Sequence, residues 1–320
     1  MPYRSARCVG AGTKPSPPVV LRDTVDAMAT QWLPDRLGVV KGKRVVVTGA
    51  TNGVGFATAR ALAGAGARVV LAVRDPELGA RRAVEIGGDT EVVRLDLADL
   101  SSVRDAAANI DGPIDVLINN AGMVPTTRAD TGDGFETAIG TNFLGPFALT
   151  NLLLPQIRER IVLVASDAHR SATIDPGDLH LRSARWSPPR AYARSKLAVM
   201  VWGLELDKRL RHSGSPLTAM LSQPGWVASN ISNKPRLGPV HKVVKAVATL
   251  AANDIDAGAA STLYCLTEPI PPGSYVGMDG LWALKGSPVL SGRSSTACDY
   301  DLAGELWRAA ERETGTKYPL

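Results

Sequence analysis

Short runs of hydrophobic residues alternate with stretches of helical character from residue 43 onward. The runs are rich in β-branched residues and lack the alternation of a half-exposed strand, which is typical of strands buried on both faces of a parallel sheet. Six runs predict strands: Arg44–Thr48, Arg68–Val73, Glu91–Leu95, Val116–Asn119, Ile161–Ala165 and Leu217–Ser222. A seventh strand is predicted at Ser274–Val276. The pattern therefore predicts an α/β fold with a doubly wound parallel sheet of about seven strands in a single domain.

The first 30 residues are rich in proline and glycine and show no such pattern, so they are interpreted as a disordered basic arm preceding a domain at residues 31–320. Residues 1–44 hold eight basic and three acidic side chains, and this excess accounts for the whole net charge of +5. A basic arm on a neutral body is typical of a solvated tail. We therefore expect no nucleic-acid partner.

Several features of other protein classes are missing from the sequence. No apolar run approaches the ~20 residues of a membrane span, and the N-terminus has arginines but no apolar core of a secretory signal. The three cysteines and four histidines share no metal-ligand spacing. These observations predict a cytoplasmic protein with no membrane partner and no metal.

A glycine-rich turn directly follows the first predicted strand and leads into a helix predicted over Phe56–Ala65. In such a turn, glycines let the backbone approach a pyrophosphate, whose charge rests on the helix N-terminus. The order of strand, turn and helix predicts a dinucleotide site on a Rossmann-like sheet. The predicted cofactor contacts here are Gly49, Thr51, Asn52, Gly53, Val54 and Gly55.

The end of the second strand indicates which dinucleotide binds. An acidic residue there accepts from the ribose 2′-hydroxyl of NAD, whereas a nearby arginine suits the 2′-phosphate of NADP. Asp75 precedes Pro76, a pair typical of a helix start, so its carboxylate is expected to cap that helix. Val73 offers no acceptor, and the guanidinium of Arg74 can fork onto phosphate oxygens. NADP(H) is therefore the predicted cofactor.

Further motifs follow along the chain: Asp96-Leu97, Asn119-Asn-Ala-Gly122, Asn142, Ser166, Tyr192-Ala-Arg-Ser-Lys196 and Gln223-Pro-Gly225. With the spacing Thr48-Gly-x-x-x-Gly53-x-Gly55, their order resembles the short-chain dehydrogenase/reductase family, and most of all its retinol dehydrogenase-like and carbonyl reductase-like branch. The resemblance spans about residues 32–318. It implies further cofactor contacts from Asp96, Leu97, Asn120, Ala121, Gly122, Tyr192, Lys196, Pro224, Gly225, Val227 and Ser229.

The same resemblance implies the catalytic residues Asn142, Ser166, Tyr192 and Lys196. A tyrosine hydroxyl, with an ordinary pKa of about 10, is a weak acid–base catalyst at neutral pH unless a nearby cation stabilises its phenolate. Tyr192 and Lys196 are four residues apart on a predicted helix and so share one face. Ser166 can hydrogen-bond the substrate oxygen, and Asn142 resembles the residue that holds a relay water behind the lysine.

These residues predict an NADP(H)-dependent oxidoreductase that transfers a hydride between the nicotinamide and a carbonyl or alcohol of a small apolar or polycyclic substrate. The alternative is a non-redox enzyme on the same fold, catalysing a cyclisation, dehydration or isomerisation. Two nearby side chains have more than one interpretation. Asp167 either faces the pocket or caps the turn outside it, and Trp226 either lines the pocket or packs in the core. His169 is interpreted as part of the loop structure.

The separation of Ser166 and Tyr192, 26 positions, is longer than in many relatives. The added stretch, residues 178–190, is polar and too long for a turn. It is expected to lie over the outer face of the Tyr192 helix, where relatives pair, which favours a monomer over a homodimer. Alternatively, it forms part of the substrate rim.

Overall fold

The computed structural model describes residues 34–225, 255–280 and 286–320. Within these ranges one sheet has the strand order β3-β2-β1-β4-β5-β6-β7-β8, with β8 antiparallel to β7 and the other pairs parallel. The strands are β1 (Arg44–Thr48), β2 (Arg68–Val73), β3 (Asp89–Arg94), β4 (Ile114–Asn119), β5 (Ile157–Val164), β6 (Thr218–Ser222), β7 (Tyr275–Met278) and β8 (Pro288–Leu290).

Helices cover both faces of this sheet. They are α1 (Gly53–Gly64), α2 (Pro76–Ile86), α3 (Leu100–Asn109), α4 (Gly145–Leu153), α5 (Pro188–His212), α6 (Ile255–Thr267) and α7 (Tyr300–Thr314). The cores on the two sides are separate: α3, α4, α5 and α7 pack on one face, and α1, α2 and α6 pack on the other. The predicted doubly wound, Rossmann-like α/β fold is confirmed.

The seven predicted strands are all present, although some of their ends differ. Strand β5 begins at Ile157 rather than Ile161, because exposed residues near its start, Arg158 and Glu159, interrupt the hydrophobic run. The hydrophobic pattern does not predict β8. It is three residues long and lies at the edge of the sheet, where one pairing side is enough and little burial is needed. Its first residue is Pro288, a position at which an edge strand tolerates proline.

The C-terminal helix α7 packs along α5. The Trp307 ring meets the Phe147 ring of α4 edge-on, with 4.9 Å between ring centres, and the Arg209 guanidinium of α5 lies 4.4 Å from the centre of the Trp307 ring. Nearly every α5 side chain between Ala191 and Asp207 is buried. Helix α7 therefore covers one side of α5 and also contacts α4.

The added stretch before α5 covers only the first turns of that helix. Leu181 packs in a small cluster with Ala191 of α5 and Ala138. The Arg194 guanidinium donates to the backbone carbonyl of Asp175 at 3.0 Å. Residues 178–190 were expected to cover the outer face of α5. They cover only the N-terminal end of α5, because α7 packs against the rest of the helix. The stretch is also less polar in its packing than expected, since Leu181 is 3% exposed.

We expect the protein to be a monomer in solution, because α7 buries the apolar side of α4 and α5 within the chain. Light scattering on the purified chain should give a mass near 33.7 kDa. A mass of twice or four times that value would contradict this prediction.

In the described ranges, no helix combines the length and apolarity needed to cross a membrane.

Candidate active site

The carboxyl ends of β1, β4, β5 and β6 lie along one edge of the sheet. Strand β1 pairs with both β2 and β4, so the strand order reverses direction at β1. In open α/β sheets, ligands bind in the crevice outside the strand ends at such a point. The sequence motifs that follow β1, β4, β5 and β6 are therefore brought to one crevice.

The glycine turn has the geometry that the sequence predicts. Gly49 and Gly53 have φ values of 69° and 57°, in the left-handed region that favours glycine. A Cβ at Gly55 would overlap the Gly49 carbonyl and the Asn120 side chain. The N-cap residue of α1, Asn52, makes no side-chain cap hydrogen bond. The first N–H groups of α1 are thus left for a phosphate, and the turn fits a dinucleotide.

Thr48, at the end of β1, joins this turn to the turn after β4. Its buried hydroxyl accepts hydrogen bonds from the backbone N–H groups of Asn120 and Ala121, both at 3.0 Å. The side-chain amide of Asn120 donates to the Thr48 carbonyl at 2.8 Å. Asn120 therefore positions the turn, while Ala121 and Gly122 are partly or fully exposed beside it. Thr48 is not among the site residues predicted from the sequence. Its position directly before the glycine turn is the signal that could have identified it.

Val73, Arg74 and Asp75 lie at the end of β2, and the helix cap predicted for Asp75 is confirmed. Asp75 accepts from the Leu78 backbone N–H at 3.0 Å and so caps α2. Val73 is 1% exposed. Arg74 is exposed, and among the described residues no hydrogen bond or ion pair engages its guanidinium. After β3, Asp96 accepts from the Ala98 N–H at 3.0 Å, and Leu97 is buried.

Ser166, Tyr192 and Lys196 meet at the end of β5. The Ser166 hydroxyl lies beside the Tyr192 side chain. The Lys196 ammonium donates to the Val164 carbonyl at 2.8 Å and lies 5.9 Å from the centre of the Tyr192 ring. Burial lowers the pKa of Lys196 to about 8. Burial also raises the pKa of Tyr192, and the nearby Ser166 hydroxyl opposes this shift.

Comparison with known proteins agrees with this arrangement. The model of the short chain dehydrogenase family matches residues 43–238. The chain belongs to the short-chain dehydrogenase/reductase family. It is 35% identical to polyprenol dehydrogenase of Mus musculus over 93% of this chain and 91% of that protein. It is 33% identical to retinol dehydrogenase 13 of Homo sapiens over 96% and 94% of the two chains.

A solved structure from Mycobacterium Paratuberculosis is 43% identical, with a TM-score of 0.79 over 91% of this chain and all of that one. Together these similarities place the chain in the retinol dehydrogenase-like branch of the short-chain dehydrogenase/reductase family, as the motifs imply. The chain is therefore an oxidoreductase of this family.

Asn142 lies in a π-helical turn, Gly140–Leu144, just before α4. Its side-chain oxygen accepts from the Met123 N–H at 2.8 Å, and its amide donates to the Met123 carbonyl and the Ser195 hydroxyl. Because these protein acceptors take both amide hydrogens, the structure gives Asn142 a positioning role in this site. A Cβ on Gly122 would lie 3.4 Å from both the Asn142 side chain and the Lys196 ammonium.

Asp167 and His169 brace the loop that carries Ser166. Asp167 accepts from the Tyr275 hydroxyl at 2.9 Å and pairs with Arg170. The Ser166 hydroxyl caps the turn by accepting from the Ala168 N–H, so the interpretation of Asp167 as the cap is wrong. The buried His169 ring lies 2.8 Å from the Ser166 carbonyl and accepts from the Ser294 N–H, as expected for loop structure. Burial lowers its pKa.

The nicotinamide end of the crevice is described only in part. Pro224 and Gly225 follow β6 at the same edge of the sheet, and Gly225 has a φ of 70°. The expected contacts Val227 and Ser229, and Trp226 with its two interpretations, lie outside the described residues. In the described part of the chain no cluster of histidine, cysteine or carboxylate side chains could hold a metal ion.

The Tyr192→Phe variant should lose most turnover, because it deletes only the proton that moves. General acid–base catalysis contributes about 10²–10⁴-fold, so kcat should fall by at least tenfold while cofactor affinity changes little. Steady-state kinetics and a binding titration measure the two quantities, with Tyr300→Phe on the exposed end of α7 as the control. Retention of more than about a tenth of the activity would exclude the acid–base role.

The buried Lys196 should make stability depend on pH. Its pKa is about 8 in the folded protein against 10.5 for the unperturbed side chain, so between these values the unfolded state binds more protons. The free energy of unfolding therefore gains a contribution that grows as pH rises from about 8 to 10. Relative to Lys196→Met, the wild type should gain up to about 3 kcal/mol over this range. Urea unfolding of both proteins from pH 7 to 10 tests this; a constant difference would contradict it.

Proposed function

We propose that this chain is an NADP(H)-dependent dehydrogenase or reductase that interconverts an alcohol and a carbonyl on a small, apolar substrate. The observation that carries the proposal is the meeting of Ser166, Tyr192 and Lys196 beside an uncapped glycine turn at the point where the strand order reverses. A buried ammonium held near a tyrosine can stabilise the phenolate that forms when the tyrosine gives up its proton. A tyrosine–lysine pair with a purely structural role would not need to be removed from water.

In the direction of reduction, the Ser166 and Tyr192 hydroxyls hold the carbonyl oxygen. When bound in the crevice, NADPH would supply a hydride for the carbonyl carbon. As the π electron pair moves onto oxygen, Tyr192 gives its proton to that oxygen and becomes a phenolate, which the Lys196 ammonium stabilises. Oxidation of an alcohol runs the same steps backward. Because the pKa of Lys196 is about 8, the Lys196 side chain is charged in most molecules at neutral pH.

The NADP(H) preference is supported by the three residues that end β2. Asp75 is committed to the cap of α2, and Val73 has no acceptor, so no acidic side chain is presented to a ribose hydroxyl there. Arg74 remains exposed at the same place. A guanidinium is well suited to a phosphate dianion because its paired N–H groups match two phosphate oxygens.

An apolar substrate is supported by a small apolar cluster at the start of α5, the helix that carries Tyr192. Met123, Ala184 and Trp186 are partly buried against a small cluster of Ala138, Leu181 and Ala191. The Trp186 indole donates to Glu136 at 3.2 Å, which holds the added stretch at this rim. This arrangement supports the substrate-rim interpretation of the stretch. The relatives named above, polyprenol dehydrogenase and retinol dehydrogenase 13, are also named for apolar alcohols.

Small-molecule substrates, with no nucleic-acid or membrane partner, and a cytoplasmic location remain part of this proposal. The location follows from the sequence alone and can be checked by cell fractionation with an antibody against the chain. Recovery in a membrane pellet that resists salt would contradict it.

An absorbance assay with a panel of apolar aldehydes and ketones tests the function. We expect NADPH consumption at 340 nm, with kcat/KM at least tenfold above that with NADH. The Arg74→Ala variant should lose most of this preference through its NADPH value, because a charge-assisted hydrogen bond is lost. Tight NADPH binding without consumption across the panel would favour the non-redox alternative, and a preference for NADH would contradict the cofactor assignment.

A further inference from the structure

A second arginine, Arg82, reaches the glycine turn from α2. Its Nε donates to the Thr51 carbonyl at 3.0 Å, and its guanidinium lies 4.9 Å from the centre of the Phe56 ring. One terminal nitrogen pairs with Glu85, and the side chain is 30% exposed. No hydrogen bond from the other terminal nitrogen occurs among the described residues. The guanidinium is therefore anchored on the turn with one donor group left over.

The position of Arg82 relative to the cofactor follows from the sheet. Strands β1 and β2 are parallel neighbours, and the Gly49 N–H donates to the Ala72 carbonyl at 2.9 Å, so the glycine turn and the end of β2 lie side by side. The adenosine ribose of a dinucleotide lies between these two segments. Arg74 stands at the end of β2, and Arg82 stands on the helix that follows it, in contact with the turn.

We propose that Arg82 is a second cation for the 2′-phosphate of NADP(H) and so a determinant of cofactor specificity, with Arg74 on the other side of the ribose. The inference rests on the proposed NADP(H) dependence. A phosphate monoester carries nearly two charges at pH 7, and one exposed guanidinium neutralises only one of them. Arg82 adds the second positive charge, and the Phe56 ring and the Thr51 carbonyl hold it in place.

The competing role for Arg82 is structural, in which it only braces the Thr51 carbonyl. The two roles differ in what they require of the side chain. A brace requires a hydrogen-bond donor, which glutamine keeps, whereas phosphate recognition requires the charge. Arg82→Gln therefore separates them, and Arg81→Ala is the matched control because Arg81 is the exposed preceding residue on the same helix.

Calorimetric binding of 2′,5′-ADP and 5′-AMP to the full chain provides a readout that does not depend on turnover. For Arg82→Gln we expect 2′,5′-ADP to bind about tenfold more weakly, while 5′-AMP binding stays within about twofold of the wild type. Arg81→Ala should leave both affinities unchanged. The unchanged 5′-AMP affinity also shows that the variant is folded. An equal loss for both ligands in Arg82→Gln, or no loss for either, would overturn the proposal.

The same titrations distinguish a failure of this inference from a failure of the proposed function. If the wild type binds 2′,5′-ADP no more tightly than 5′-AMP, the NADP(H) assignment fails and the inference fails with it. If the wild type prefers 2′,5′-ADP, Arg74→Ala loses that preference and Arg82→Gln keeps it, the cofactor assignment stands and the role of Arg82 is wrong.

Discussion

The hydroxyl of Thr48 holds the ends of β1 and β4 together where the strand order reverses. Its two backbone donors come from the turn after β4, which places Gly122 beside Lys196. The Asn120 side chain in turn donates to the Thr48 carbonyl at the end of β1. The two turns that border the crevice therefore form one hydrogen-bonded unit. Buried polar groups that are fully paired in this way hold a single geometry, because any displacement leaves donors without acceptors in a dry environment.

The side chain of Lys196 is buried although burial disfavours its charged form. Lys196 is 5% exposed, its described hydrogen-bond acceptor is the Val164 carbonyl, and no carboxylate forms an ion pair with it among the described residues. This arrangement keeps the ammonium available to the Tyr192 oxygen, since a carboxylate partner would draw the charge away. Asn142 and the π-helical turn keep the neighbouring loop close to this cation. The site thus trades stability for a positioned charge, as functional sites often do.

Two parts of the chain divide the surface of α5 between them. The stretch before the helix packs on its first turns through Leu181, and its Trp186 indole donates to Glu136. Farther along, α7 covers the helix with Trp307 and leaves its apolar side inside the core. The residues before α5 and the residues of α7 therefore cover different parts of the same helix.

The sequence by itself determined the sheet, because uninterrupted β-branched runs can be buried only between two helical layers. It also determined the glycine turn and the cap that Asp75 provides for α2, since a positive φ and a helix cap depend on residues close together in the chain. The set of Ser166, Tyr192 and Lys196 was implied by the resemblance to the family, because its motifs occur along the chain in the family's order.

Only the tertiary structure decided contacts between distant parts of the chain. Three hydrogen bonds join segments that no local sequence pattern connects: Thr48 with Asn120, Arg82 with Thr51, and Asp167 with Tyr275. The packing of α7 on α5 and the pairing of β8 with β7 were likewise decided only by the tertiary structure. Hydrophobic periodicity reports which face of an element is buried but not which neighbour buries it, and that choice is made when the layers pack.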